Sequence, residues 1–201
     1  MPSNAHKTIL SLCDSSGNWS NPYREAGYNV IQVDLDHGQD VRLLKFPGRV
    51  HGIIAQPPCT HLSSAGAASW AAKGEGALLE ALQVVDACLR FVAVCKPIWW
   101  VLENPKGRIS QYLGKPQFTF NPCDYGDAYK KRTCLWGSFV PPLPLIIGED
   151  MSVEPIKNPN SGDHSIDNWL KSQGYKIGKH RAKWRSLTPP GFAQAFFLAN
   201  P

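Results

Sequence analysis

The sequence lacks the features of membrane and secreted proteins. It has no apolar run near the roughly 20 residues that span a bilayer, and residues 1–7 do not lead from a charged start into a long apolar core. We therefore expect a cytoplasmic protein with no membrane partner. If the source is a virus, the compartment is the cytoplasm of its bacterial host.

Paired cysteines, which mark metal sites and disulfide frameworks, are also missing. Six cysteines occur in the 201 residues, none of them in a Cys-x-x-Cys pair. Cys59-Thr60-His61 would supply half of a zinc site, but no second half follows at a usual spacing. The pattern predicts free thiols and no bound metal.

Acidic residues are absent from residues 168–201, which contain six Lys and Arg. The rest of the chain holds 15 Lys and Arg against 16 Asp and Glu, so the net charge of +5 comes entirely from the C-terminal segment. Tyr175 and Trp184 lie within this basic cluster. Such a cluster suits the phosphates of duplex DNA, of a single strand or of one nucleotide, and equally a solvated charged surface.

Polar residues follow each of four predicted strands. The apolar runs at residues 8–12, 30–33, 53–55 and 98–102 alternate with helical segments, the clearest of them at 75–95. This order is typical of a parallel α/β sheet, whose ligands bind at the carboxyl ends of the strands. We therefore expect four residues to lie close together at one edge: Asp14, Asp34, Cys59 and Glu103.

The pattern changes after Gly114. Residues 117–120 and 133–139 predict the two strands of a hairpin. Residues 148–167, rich in Pro, Asn, Ser and Gly, predict a long and weakly structured insertion. Thr188-Pro189-Pro190 is typical of a helix start and predicts a final helix that runs to about Leu198.

Cys59 and Glu103 have the chemistry of a catalytic pair. Pro57 and Pro58 stiffen the chain before Cys59, which can hold the thiol at the end of its strand. Glu103 follows the apolar run 98–102, where desolvation would raise the pKa of the carboxyl and keep a proton available. A nucleophilic thiol beside a proton donor indicates covalent catalysis.

The motifs around this pair resemble those of the cytosine-5 DNA methyltransferases. The family's Pro-Pro-Cys motif is similar to Gln56-Pro57-Pro58-Cys59, and its Glu-Asn motif to Glu103-Asn104-Pro105. Lys130-Lys131-Arg132 resembles the basic motif that precedes the family's target-recognition region. Arg185-Ser186-Leu187-Thr188-Pro189 resembles the Arg-x-Leu-Thr-Pro motif that follows it, so four motifs occur in the family's order.

The resemblance implies a class I S-adenosylmethionine-dependent methyltransferase, with a Rossmann-like α/β sheet and flanking helices, reduced in size. The implied activity is transfer of a methyl group from S-adenosylmethionine to carbon 5 of cytosine in DNA. Cys59 would add to carbon 6 of the base, Glu103 would hydrogen-bond or protonate ring nitrogen 3, and Arg132 would hold the O2 edge.

Binding residues are implied by the same resemblance. The loop after the first strand would approach the methionine part of the cofactor, Asp34 would bind the ribose hydroxyls, and Asp40-Val41 would lie beside the adenine. The expected cofactor-binding residues are Cys13, Asp14, Ser16, Gly17, Trp19, Asp34, Asp40, Val41 and Pro57. The expected substrate-binding residues are Ser63, Asn104, Lys130, Lys131, Lys179, Arg181 and Arg185.

By the same comparison, residues 1–133 form the catalytic core, residues 134–184 a minimal recognition segment, and residues 185–201 a closing helix packed on the core. Such a segment is short for reading bases in the major groove while the target cytosine is flipped out. Two alternatives therefore stay open: the same chemistry on a free cytosine nucleotide or single strand, and a nucleic-acid-binding or cofactor-sensing module without catalysis. So compact a form would suit a phage genome.

Overall fold

A six-stranded sheet forms the centre of the fold. The computed structural model describes residues 3–144, 166–176 and 184–201. Four strands, in the order β2-β1-β3-β4, are parallel, and β6 is antiparallel to β4 and β5 at one side. The strands are β1 (Thr8–Leu12), β2 (Asn29–Val33), β3 (Gly52–Ala55), β4 (Trp99–Pro105), β5 (Phe118–Phe120) and β6 (Thr133–Ser138).

The sheet is therefore mixed, whereas the sequence predicts a parallel one. The parallel part comprises the four strands expected from the apolar runs, and the predicted hairpin is the β5–β6 pair. Residues 134–138 of β6 pair with β4, so they belong to the central sheet although the predicted domain boundary falls after residue 133.

The helices of the described ranges are α1 (Asn21–Glu25), α2 (Trp70–Cys95), α3 (Ser110–Leu113), α4 (Ile166–Ser172) and α5 (Pro190–Ala199). α2 is interrupted at Gly74, whose φ of 71° is not helical, so its regular part covers the predicted residues 75–95. α5 is the helix predicted after Pro189. In residues 3–144, 166–176 and 184–201, no helix is both long and apolar enough to cross a membrane.

Alternate residues of the strands enter two separate cores. Leu10 and Leu12 pack on the α2 side, against residues such as Phe91. Ile9 packs on the opposite side with Phe192 and other residues of α1 and α5. Because a strand presents successive side chains to opposite faces, covering both faces requires the continuous apolar runs seen in the sequence.

α4 begins inside the stretch predicted to be weakly structured, at residue 166. Ile166 and Leu170, one helical turn apart, are buried against Tyr129. A helix of seven residues is stabilised mainly by such packing, which local composition does not reveal. Residues 148–165 of the predicted insertion lie outside the described residues.

Candidate active site

The carboxyl ends of β1, β3 and β4 are aligned at one edge of the sheet. Leu12 pairs with Ala55, and Ala55 pairs with Leu102, so the residues after these three emerge at the same level. β4 itself continues to Pro105 beside β6, and Glu103 lies in that extension. Backbone hydrogen bonds continue the alignment, since Gln56 N donates to Leu12 O at 2.9 Å. This edge carries the four residues predicted to converge there: Asp14, Asp34, Cys59 and Glu103.

Cys59 and Glu103 interact electrostatically at this edge. Burial raises the pKa of the Cys59 thiol, and the charge of Glu103 adds to that increase. Burial also raises the pKa of Asp34, where the charge of Asp36 contributes more to the increase than that of Asp14. The edge therefore contains a thiol–carboxyl pair at β3 and β4.

Cys59 is held in a tight turn directly after Pro58. Its carbonyl accepts hydrogen bonds from Leu62 N at 2.9 Å and Ser63 N at 2.8 Å, and the residue is half-buried. While burial raises the pKa of the thiol, the cations Lys131 and Arg185 lower it. The thiolate depends on these two cations for its stability, because burial disfavours its charge.

One carboxylate oxygen of Glu103 has no hydrogen-bond partner in the described part of the chain. Its Oε1 is buried and has no hydrogen-bond partner among the described residues, although the residue as a whole is half-buried. Burial raises the pKa of this carboxyl, and Lys131 opposes the increase. Since the neutral acid is easier to desolvate than the carboxylate, this position can hold and donate a proton.

Lys131 is the residue of the basic motif whose charge acts on both groups. It affects the pKa of Cys59 and of Glu103, and its Nζ donates to Arg185 O at 3.1 Å. Lys131 also lines a small cavity beside Glu103, whereas Arg132 is exposed. The expected contact of Arg132 with the base stays a prediction.

A small cavity of about 10 Å³ lies beside Glu103. This volume is about that of one water-sized probe. The carboxyl edge of the sheet forms one side of the cavity, and the segment before α5 forms another. The lining residues are Trp19, Glu103, Phe120, Lys131, Thr133, Ser186, Leu187, Thr188, Pro189 and Phe192.

Asn104 holds the thiol loop in place. It has no exposed surface, and its Nδ2 donates to Pro57 O at 2.8 Å. Its Oδ1 has no hydrogen-bond partner among the described residues, and its expected contact with substrate stays a prediction. Pro57, expected to contact the cofactor, is also buried.

The carboxylate of Asp14 is used by its own loop. The side chain is 2% exposed and accepts hydrogen bonds from Ser11 Oγ at 2.8 Å, Gly17 N at 2.8 Å and Ser20 Oγ at 2.9 Å. Ser16 Oγ is a further donor at 3.5 Å. These bonds make Asp14 the acceptor that holds its own loop, and its expected contact with the cofactor stays a prediction.

The other expected cofactor residues of this loop differ in exposure. Ser16 is exposed, and Cys13 is half-buried with a left-handed φ of 57°. Gly17 is buried, also with a positive φ, of 72°. Trp19 lies wholly in the core, edge-on to Phe192 at 5.2 Å, although it lines the small cavity.

The three expected cofactor residues around β2 differ in their partners and burial. Asp34 caps the turn after β2, since its Oδ1 accepts from Asp36 N at 2.8 Å, and Oδ2 has no donor within the described ranges. Asp40 is paired with Arg42 at 2.6 Å, which lowers the pKa of Asp40. Val41 is 3% exposed and belongs to the core. Only Asp34 keeps a carboxylate oxygen without a partner.

A larger cavity of about 360 Å³ lies on the other side of the thiol loop. Pro58, next to Cys59, lines it, as does Arg42, the partner of Asp40. Its remaining lining comes from His61 and from the α2 residues Glu80, Ala81, Gln83 and Val84. The sequence does not identify these residues as part of a cavity. Helical periodicity shows that a helix is amphipathic, but it does not show which groups lie next to its polar residues.

The remaining expected substrate residues that the structure describes differ in their contacts. Ser63 caps the turn after Cys59 by accepting from Ala65 N at 3.3 Å, and Lys130 is exposed. Arg185 is near Cys59 and forms an ion pair with Asp167 at 3.9 Å. Lys179 and Arg181 lie outside the described residues.

Thr188 and Arg108 make contacts at the site that the sequence does not predict. Thr188 Oγ1 donates to Gln56 Oε1 at 2.6 Å and so ties the segment before α5 to the Pro-Pro-Cys motif. Arg108 Nε donates to His61 O at 2.7 Å. Thr188 lies within a motif named from the sequence, whereas nothing local distinguishes Arg108 from any surface arginine.

No metal site is formed in the part of the chain that the structure describes. Within it, no group of three or more His, Cys, Asp or Glu side chains could hold an ion.

Comparison with known proteins identifies no family. No protein-family model matches the chain, and no curated protein does. A similar solved structure is an E. coli protein, provisionally named as a DNA modification methyltransferase encoded within a prophage, with a TM-score of 0.48 and 18% identity. The match covers 66% of this chain and 46% of that one, so this chain spans less than half of that protein. Similarity at this level does not establish an activity.

Proposed function

We propose that the protein transfers a methyl group from S-adenosylmethionine to carbon 5 of cytosine in DNA, through a covalent adduct between Cys59 and carbon 6. One observation carries the proposal. The Cys59 thiol and the Glu103 carboxyl, which has a buried and unpartnered oxygen, lie within electrostatic reach of each other and of Lys131. A nucleophile, an acid and a cation are the groups that addition to a cytosine ring requires.

Cys59 begins the reaction as the nucleophile. Lys131 and Arg185 lower the pKa of the thiol against the effect of burial, which favours formation of the attacking thiolate. The sulfur forms a bond to carbon 6, and the electron pair of the C5–C6 double bond moves toward carbon 5 and the ring. Carbon 5, a weak nucleophile in free cytosine, becomes reactive through this addition.

Glu103 neutralises the charge that develops on the ring. Burial raises the pKa of its carboxyl, which favours the protonated form that can donate to ring nitrogen 3. After methylation, the carbon-5 proton leaves to water, and its electron pair re-forms the C5–C6 double bond while the proton on ring nitrogen 3 returns to Glu103. The C6–S bond breaks in the same elimination. The electron pair of that bond returns to sulfur and regenerates Cys59.

The larger cavity has the size and lining to hold the adenosine part of the cofactor. Its volume of about 360 Å³ falls within the range of small-molecule sites. Pro58, Ala81 and Val84 line this cavity and would pack on the adenine. Asp34, which is not among the lining residues, is proposed to bind the ribose hydroxyls from the end of β2. When bound, S-adenosylmethionine supplies the electrophilic methyl group.

DNA is the proposed substrate because the charges near the thiol are positive. Lys131 and Arg185 act on Cys59, Lys130 and Arg132 are exposed beside them, and residues 168–201 contain no acidic residue. Phosphates would be held by such charges. We propose that the part of 134–184 beyond β6, including Lys179 and Arg181, serves as the recognition segment.

Covalent trapping tests the proposal. Incubation with DNA containing 5-fluorocytosine and labelled S-adenosylmethionine should give a stable protein–DNA adduct, because fluorine at carbon 5 prevents the final elimination. Cys59→Ala should abolish the adduct. Cys123→Ala is the matched control, since burial also raises the pKa of that thiol, and it should trap normally.

A substrate panel separates the alternatives. Duplex DNA, single-stranded DNA and dCMP are compared for methyl incorporation. Incorporation into dCMP alone would refute the DNA substrate but keep the chemistry, whereas cofactor binding without any adduct would favour a non-catalytic binding module.

A further inference from the structure

The segment after Glu103 is bonded to the loop that carries Cys59. Ser64 N and Ser64 Oγ both donate to Lys106 O, at 3.0 and 2.8 Å. Ser63 and Gly107 form an antiparallel bridge, and Arg108 N donates to Leu62 O at 2.8 Å. Consecutive residues of one segment are therefore paired with consecutive residues of the other.

The two segments approach more closely than most side chains permit. A Cβ atom on Gly107 would lie 1.9 Å from Leu62 O, far inside van der Waals contact. Position 107 therefore requires glycine for the contact to exist. The pairing fixes the loop about three residues after the thiol.

The side chain of Arg108 completes the connection. Its Nε donates to His61 O at 2.7 Å, and its guanidinium lies 4.5 Å from the centroid of the Trp70 ring. His61 is two residues from Cys59, and Trp70 is the first residue of α2. One guanidinium thus spans both ends of the loop that follows the thiol.

Three polar atoms at this contact are buried and have no hydrogen-bond partner among residues 3–144, 166–176 and 184–201: Arg108 Nη2, Trp70 Nε1 and His61 Nδ1. Arg108 is therefore held here by its Nε bond to His61 O and by its stacking on Trp70.

We propose that Arg108 is a positioning residue for Cys59, one that fixes the thiol relative to the Glu103 carboxyl. The segment from Glu103 to Arg108 begins with the acid and ends on the thiol loop, so it sets the separation of the two groups. The inference rests on the proposed function, in which both must reach one cytosine ring. The charges that shift the pKa of Cys59 are Lys131, Glu103 and Arg185, so Arg108 acts by placement.

Arg108→Lys is the test, because it keeps the charge but not the planar group that bonds and stacks at once. We expect the single-turnover rate of methyl transfer to DNA, at saturating S-adenosylmethionine, to fall at least about tenfold. Two quantities should not change: the Kd for S-adenosylmethionine, and the pKa of the Cys59 thiol, measured from the pH dependence of its alkylation by iodoacetamide.

Arg90→Lys is the matched control. Arg90 Nη2 also donates to a backbone carbonyl, that of Arg42 at 3.1 Å, and its guanidinium lies 5.7 Å from the Phe91 ring. This variant should keep the parent single-turnover rate. Gly107→Ala, which forces the two segments apart, should reduce the rate further, and Arg108→Lys decides the matter if Gly107→Ala does not fold.

The outcomes are distinct. An unchanged rate in Arg108→Lys would overturn this inference and leave the proposed function standing. A shifted thiol pKa would also overturn it, because Arg108 would then act through charge. Failure of the parent protein to turn over any cytosine substrate would refute the proposed function and this inference together.

Discussion

The carboxylates in the two halves of the sheet edge differ in their hydrogen bonding. At the end of β1, Asp14 is 2% exposed and accepts hydrogen bonds from Ser11, Gly17 and Ser20. At β4, Glu103 has a buried Oε1 without a partner in the described part of the chain. The same functional group is a structural acceptor in one half and a chemically available acid in the other.

The surroundings of the two carboxylates differ. The loop beside Asp14 contains serines and a glycine, whose hydroxyl and N–H groups supply donors. The cavity beside Glu103 is lined in part by Phe120, Leu187 and Phe192, which carry no side-chain donor, and no described group bonds to Oε1.

The largest expected effect is that of Glu103→Gln on catalysis. The amide cannot deliver a proton, so we expect the single-turnover rate of methyl transfer to fall by about 10²- to 10⁴-fold. Comparison of the rate with that of the parent, using DNA and labelled S-adenosylmethionine, measures the effect. A rate within twofold of the parent would contradict the role of Glu103 as the acid.

The same variant should be more stable at neutral pH. Because burial raises the folded-state pKa of Glu103 above its ordinary value of 4.5, folding favours the protonated carboxyl. The stability that this carboxyl contributes is therefore present at low pH and is lost as the pH rises through the folded-state pKa. Urea denaturation at pH 5 and pH 8 should show a smaller loss in Glu103→Gln than in the parent.

Asp14→Ala should reverse this result, with a loss of stability. Removing the carboxylate leaves buried donors of Ser11, Gly17 and Ser20 unpaired, and we expect about 3 kcal/mol of destabilisation. Urea denaturation at pH 7 measures it. A stability equal to that of the parent would show that the β1 loop does not depend on its aspartate.

Lys131→Met should have a moderate effect on the thiol. Removal of a cation that lowers the pKa of Cys59 should raise that pKa and slow alkylation by iodoacetamide at pH 7.5 roughly tenfold, because a smaller fraction of the thiol is then the reactive thiolate. Arg132→Met, at an exposed position, is the matched control and should alkylate at the parent rate. Equal slowing in both variants would mean that general surface charge, and not the placement of Lys131, controls the thiol.

Asp40→Ala should have the smallest effect. Asp40 is paired with Arg42, whose side chain is 43% exposed, and exposed ion pairs contribute little to stability. Its urea midpoint should equal that of the parent within experimental error. A clear loss would place Asp40 with Asp14 as a structural acceptor.

The sequence predicts the strand ends well and the partners of the side chains poorly. Asp14 and Glu103 are both found at the expected edge, because apolar runs locate buried strands and parallel strands end on the same side. Nothing in the sequence separates the filled acceptor Asp14 from the unpartnered Glu103. The choice between Lys131 and Arg132 likewise depends on which of two adjacent residues faces the sheet edge.

Local sequence patterns also do not predict contacts between segments that are distant along the chain. Asn104 bonds to Pro57, and Arg108 bonds to His61, each across 47 positions of the chain. Helix α4 is stabilised by packing on Tyr129 and is concealed by the polar composition before it.

The sequence by itself determined which residues could do chemistry here and at which edge of the sheet they would lie. Periodicity and strand ends are encoded locally, since each depends on the burial of a few consecutive residues. Only the tertiary structure decided which of these residues are free to react, because a side chain is satisfied or left unpartnered by groups that come from distant parts of the chain. Glu103 is a candidate acid beside Cys59 because its Oε1 has no partner among the described residues. Asp14 is a structural residue because three donors bond to its carboxylate.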